Sequence, residues 1–214
     1  MMSPRYALAA LLLATLAQAE DAPAPAPTPA PEAAAAPAPA PAAETAKPVE
    51  LKRLTAPEGR ALALLSITLS APPGAEDGFA MLVFEGPGGV QKVTVKDGDR
   101  IVNFGGQPEA VGKLLQLSLP PGPYVLRYVT GSYEPAEGGK KHEFWVPLGQ
   151  RFAIAPNEVA YLGNLHVVLD GTPIAVFSDL RARDFYALAQ EAKINDMSNL
   201  QGRIPQPDGL PYPY

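Results

Sequence analysis

The sequence predicts an all-β domain, an antiparallel β-sandwich of about nine or ten strands with one C-terminal helix. A signal peptide and a disordered Ala/Pro tract precede it. Three observations carry the fold class. From Val49 onward apolar residues recur with a period of two, the rhythm of pleated strands. Clusters of glycine, proline and aspartate punctuate the chain at short intervals. The gaps between apolar runs are too short for the crossover helices of a parallel sheet.

The leader comes first. Arg5 precedes an apolar run from Tyr6 to Leu16, and Ala17-Gln18-Ala19 places small residues where a signal peptidase reads. The run is shorter than the roughly 20 residues that cross a bilayer. Residues 1–19 therefore read as a secretory signal, with an uncleaved anchor as the plain alternative. Residues 20–48 read as a disordered linker. Alternating proline removes backbone donors and disfavours helix in the residue before it. Residues 22–48 would form a semi-rigid polyproline-II spacer up to about 80 Å long.

The strands follow in residues 49–177. Leu62 to Leu69 is apolar on one face and largely apolar on the other, which suits the middle of a sheet. Phe79 to Phe84 and Val90 to Val95 flank Gly86-Pro87-Gly88-Gly89 and read as a hairpin. Asp97-Gly98 gives a second hairpin signal leading to Ile101-Val102-Asn103-Phe104. Lys113 to Leu119 and Tyr124 to Val129 lie on either side of Pro120-Pro121-Gly122-Pro123. Phe144 to Pro147 and Arg151 to Ile154 read as two short strands. Val159 to Leu169 is the longest, and Pro173 to Phe177 the last.

Residues 178–214 hold the helix and a proline-rich tail. Ser178 or Asp179 can cap the helix. Phe185, Leu188, Ala189 and Ala192 give a narrow stripe at i, i+3, i+4 and i+7, and the helix should stop near Asn195-Asp196. Its apolar stripe is too narrow for a core of its own. Asp179, Arg181, Arg183 and Asp184 read as its solvated face. Gln201 to Tyr214 should be extended.

Composition excludes several chemistries. The chain has no cysteine, which removes disulfides, Fe–S clusters, thiolate zinc sites and cysteine nucleophiles. An anchor on an N-terminal lipidated cysteine goes with them. The net charge is −5, without a Lys/Arg cluster beyond Lys140-Lys141, so neither nucleic acid nor an anionic membrane is an expected partner. His142 and His166 could meet only through the fold, with Asp170 or Glu143 as a third ligand, and their spacing matches no zinc motif. Asp97-Gly98-Asp99 lacks the further acids of a calcium loop. No G-x-S-x-G elbow is present. The glycines at 86–89 precede a strand, whereas a phosphate cradle leads into a helix. Glu85 and Glu143 could be a glycosidase pair only at a separation the sequence does not give.

One side chain invites a binding role. Trp145 lies between Phe144 and Val146, so alternation puts it on the opposite face. If Phe144 faces the core, Trp145 points outward as a platform for a sugar ring or a protein partner, with Tyr133 and Tyr128 as weaker companions. The plain alternative is a Trp145 in the core or beneath the C-terminal helix.

Two stretches carry a resemblance. Leu117-Ser118-Leu119-Pro120-Pro121-Gly122-Pro123-Tyr124-Val125-Leu126 resembles the Pro-Gly-x-Tyr turn-and-strand of prealbumin-like, carboxypeptidase-regulatory-like sandwiches. Phe152 to Gly163 is similar to the late strand pair of small bacterial envelope proteins of that architecture, with Asn157 where those often have glycine. The resemblance implies a fold, an exported setting and an accessory role, and brings no catalytic residue with it. The expected function is a non-enzymatic, exported β-sandwich module, periplasmic or extracellular. It would bind or scaffold an envelope or secreted macromolecule, without cofactor, metal or a membrane span after signal cleavage. The alternative is a carbohydrate-binding module for cell-wall or extracellular glycan.

Overall fold

A computed structural model describes residues 50–102 and 108–207. The expected signal peptide, the Ala/Pro tract, Asn103-Phe104 and the tail beyond Pro207 lie outside these residues. Among the described residues the chain is mostly β, with a single helix. In order, the elements are β1 (Ala61–Ser70), β2 (Glu76–Gly86), β3 (Gly89–Lys96), β4 (Arg100–Val102) and β5 (Pro108–Leu119). Next come β6 (Gly122–Glu134), β7 (His142–Ile154), β8 (Val159–Val168) and β9 (Ile174–Ser178). The helix α1 (Arg181–Glu191), β10 (Leu200–Gly202) and β11 (Gln206–Pro207) complete the described residues.

The strands form two sheets. One runs β10-β8-β1-β5-β4, with β9 also on β8; the other runs β11-β7-β6-β2-β3. Both turn apolar side chains onto one cluster. Ala63, Leu65 and Ile67 of β1 and Leu162, Leu165 and Val167 of β8 come from the first sheet. Leu82 and Phe84 of β2, Leu126 and Val129 of β6, and Phe144 and Phe152 of β7 come from the second. The alternation read from the sequence supplies these residues, since every second position of a strand faces one side.

The expectation of a purely antiparallel arrangement does not hold. β1 pairs with β8 in parallel, Leu62 opposite Val159 and Ile67 opposite Leu165, and β10 also runs parallel to β8. A parallel pair needs a long return path, and a helix is only one way to make it. Here the chain returns from β1 to β8 by way of strands in both sheets, β2 to β7. The central position of β1, between β5 and β8, accounts for its burial on both faces.

The Asp97-Gly98 signal marks a corner and not a hairpin. The turn itself forms, with Asp99 N–H donating to the Lys96 carbonyl at 3.0 Å and Lys96 N–H to Asp99 Oδ2 at 2.9 Å. However, β3 pairs with β2 in one sheet and β4 with β5 in the other. Turn chemistry reverses the chain locally, while burial of Ile101 decides which sheet it joins. The two short strands expected at Phe144–Pro147 and Arg151–Ile154 are one continuous β7, bent where Gly149 takes φ +59°.

Both turns of the resembling stretches form. Tyr124 is fully buried, donates its hydroxyl to the Pro120 carbonyl at 2.7 Å, and stacks on Phe152 with centroids 5.0 Å apart. Asn157 takes φ +61°, a left-handed conformation that asparagine tolerates.

The helix departs from expectation at both ends. Neither Ser178 nor Asp179 caps it; Leu180 holds that position without a side-chain bond, while Asp179 Oδ1 accepts the Arg181 N–H at 3.1 Å. It ends at Glu191, short of Asn195. It also contributes to a second small core. Leu188 packs with Leu54, Leu62, Leu64, Val159, Tyr161 and Ile194 on the outer face of the β1/β8 sheet.

Candidate functional site

Two surfaces draw attention, on the outer faces of the two sheets. The first carries Trp145. Phe144 is buried in the shared core, so the neighbouring position turns outward, and Trp145 is 60 % exposed. The alternative of a core or helix-covered tryptophan is thereby set aside. Residues directly opposite on paired strands share a face. Thr94, Met81, Thr130 and Trp145 form one such row across β3, β2, β6 and β7; Lys92, Val83, Tyr128 and Pro147 form the next. Tyr128 lies beside Trp145, with ring centroids 5.7 Å apart and planes tilted by 39°. Tyr133 does not join them. It packs against the core and meets the His142 ring at 5.3 Å.

Beside Trp145 lies a recess of about 410 Å³, lined by Phe79, Met81, Thr130, Ser132 and Glu143 among others. Cations border it. Lys92 and Lys96 are exposed on the edge strand β3, and Lys141 Nζ sits 5.8 Å from the centre of the Phe79 ring. This face therefore offers an aromatic and thioether centre, with lysines along one side and the Glu143 carboxylate in the recess itself.

The second surface went unread in the sequence. Arg183 and Asp184, expected in solvent, are 6 % and 0 % exposed. The helix turns them down onto polar positions that interrupt the apolar outer face of β1 and β8. Arg183 donates from Nε and Nη2 to Asp184 Oδ1 at 2.9 and 2.7 Å, and from Nη2 to Ser66 Oγ and Asn164 Oδ1 at 3.0 and 3.1 Å. Asp184 Oδ2 accepts the hydroxyls of Ser66 and Tyr161, each at 2.7 Å. Loss of hydration raises the Tyr161 pKa far above the ordinary phenol value, and the Asp184 charge adds to the effect.

The network continues outward. Thr68 Oγ1 donates to Asn164 Oδ1 at 3.1 Å and lies 2.9 Å from His166 Nδ1. The two ring nitrogens of His166 thus face hydroxyls on β1, Nδ1 that of Thr68 and Nε2 that of Ser70 at 3.3 Å. Burial lowers the His166 pKa, and the nearby Arg183 charge lowers it further, so the imidazole is neutral at pH 7. The signal that could have revealed this site is the run Ser66, Thr68, Ser70 at every second position of an otherwise apolar strand, matched by Asn164 and His166 on β8.

The pairings imagined for catalysis do not assemble. Neither histidine has a carboxylate among its hydrogen-bond partners in the described residues. No cluster of three or more His, Asp or Glu suited to a metal occurs among them. Glu85 pairs with Arg127. No described helix is long and apolar enough to cross a membrane.

Comparison with protein-family models, with curated proteins and with solved structures gives no match in any of the three.

Proposed function

We infer that this chain is a non-enzymatic, exported β-sandwich module that binds another envelope or secreted protein through the outer face of its five-stranded sheet. The observation that carries the reading is Trp145, the sole tryptophan, held 60 % exposed beside Tyr128 and Met81. A large aromatic on a flat sheet face is costly to leave in water, and tryptophan and tyrosine dominate the anchors of protein interfaces. Lys92, Lys96 and Lys141 give one side a positive charge, which suits a partner presenting an apolar centre flanked by carboxylates. Export rests on the leader at residues 1–19. The sandwich reading is supported by two sheets facing one cluster.

The alternative, glycan binding, draws on the same rings, with Glu143 and Thr130 beside them as hydrogen-bonding groups for sugar hydroxyls. Crosslinked capture from the native envelope tests the protein reading, with Trp145→Ala and Met81→Glu as controls. Both variants should lose the captured protein while unfolding as the parent does. Capture unaffected by either substitution defeats the reading. Saturable quenching of Trp145 emission by cell-wall glycan would favour the alternative.

A further inference from the structure

The polar network under α1 leaves two donors unspent. Arg183 uses Nε and Nη2, but its Nη1 has no hydrogen-bond acceptor among the described residues, although the side chain is almost wholly buried. Asn164 is 1 % exposed. Its Oδ1 faces the Arg183 guanidinium, which has only hydrogens to offer, so the orientation of the carboxamide is fixed. Its Nδ2 is then the free end, and it too meets no acceptor among the described residues. Neither nitrogen is sealed from solvent, so both are open to a ligand entering from outside.

Both residues line one recess of about 480 Å³. That volume falls within the roughly 300–1,000 Å³ of small-molecule pockets. The lining has two characters. Arg183 and Asn164 form a donor pole, with the neutral His166 and Thr68 beside it. Ala110, Val176 and Leu180 form an apolar wall. Arg183 is the one charged residue lining the recess among the described residues. The nearest acid, Asp184, is fully enclosed and its oxygens are already taken by Ser66, Tyr161 and Arg183 itself. A planar guanidinium edge beside an amide NH₂ matches the two oxygens of a carboxylate better than a single carbonyl or a hydroxyl.

The geometry points to a ligand site for a small aliphatic monocarboxylate, held by Arg183 Nη1 and Asn164 Nδ2 with its hydrocarbon part against Val176 and Leu180. This site is separate from the Trp145 face, on the other sheet.

The experiment is an NMR titration of the full chain with 4-methylpentanoate, in parallel with the neutral 4-methylpentanamide. Arg183 and Asn164 hold the helix to the sheet, so the variants are placed at the mouth instead. Val176→Glu and Leu180→Glu alter side chains that are 51 % and 37 % exposed. The carboxylate should shift the Asn164 Nδ2 and Arg183 Nε signals saturably. The amide should bind about tenfold more weakly or less, and either glutamate should weaken the carboxylate about tenfold by like-charge repulsion while leaving the unfolding curve in place. Trp145→Ala should leave the titration unchanged. The site is refuted if those signals do not move, if acid and amide act alike, or if neither glutamate matters.

Discussion

Arg183 and Asp184 are neighbours in sequence and partners in a buried salt bridge, with both Nε and Nη2 of the arginine on Oδ1 of the aspartate. Adjacent helical residues usually diverge by about 100° and do not face each other. Here both point beneath α1, where Ser66, Asn164 and Tyr161 receive them. The pair fastens the helix to β1 and β8 with polar contacts, beside the small apolar contact made by Leu188.

Breaking that pair should be severe, and replacing it whole should not. Asp184→Asn leaves a buried guanidinium without its counter-charge, and a loss of about 3–5 kcal/mol is expected in urea unfolding. The double variant Arg183→Met with Asp184→Leu should recover much of that loss. A single-variant cost under about 1 kcal/mol would show that the bridge contributes little.

His166 should make stability depend on pH. Its folded pKa lies below 6.5 because burial, and then the Arg183 charge, disfavour the imidazolium. The unfolded chain therefore takes up a proton first as pH falls. Stability should be unaffected by this group above about pH 6.5 and should fall as pH drops from there through the folded pKa. His166→Gln should flatten that part of the curve. Urea midpoints measured between about pH 5 and pH 8 decide it, and identical slopes in parent and variant would contradict the assignment.

Trp145 gives a direct optical reading. Its emission should be red-shifted and readily quenched by acrylamide, as expected for an indole in water. Trp145→Ala should change stability by no more than about 0.5 kcal/mol, the usual scale for surface substitutions. Blue emission that resists quenching in the isolated protein would mean the face is covered.

Tyr124 and Gly86 should prove mutually dependent. A Cβ on Gly86 would run into the Tyr124 ring, which is fixed by its stack on Phe152 and its bond to the Pro120 carbonyl. Gly86→Ala should cost about 1–3 kcal/mol through overpacking. Tyr124→Phe should cost about 1 kcal/mol by losing the hydroxyl bond. Thermal unfolding of both variants checks this, and a neutral Gly86→Ala would show that the ring can move aside.

The strands were legible because their cause is local. Alternation in Leu62–Leu69 and Val159–Leu169 marks a core face whatever the strand pairs with. Pairing direction was not legible, because nothing in β1 itself distinguishes β8 as a parallel neighbour. Likewise Asp97-Gly98 announces a turn, while the strand that accepts Ile101 lies elsewhere in the chain. On the Trp145 face, alternation placed the indole opposite Phe144, and only the cross-strand register brought in Tyr128 and excluded Tyr133. The Arg183 cluster escaped notice for the opposite reason. Charged residues on a short helix usually face water, and the groups that receive these two come from other elements, Ser66 from 117 positions away and Asn164 from 19.

The parallel seam between β1 and β8 also sets the tempo of assembly. Ser66 and Asn164, which meet across it, are 98 positions apart. The first strand thus waits for one of its flanking ribbons until most of the polypeptide has been synthesised. Chains dominated by such distant meetings fold slowly, over about milliseconds to seconds. A ribosome-bound fragment ending before residue 159 lacks that seam entirely.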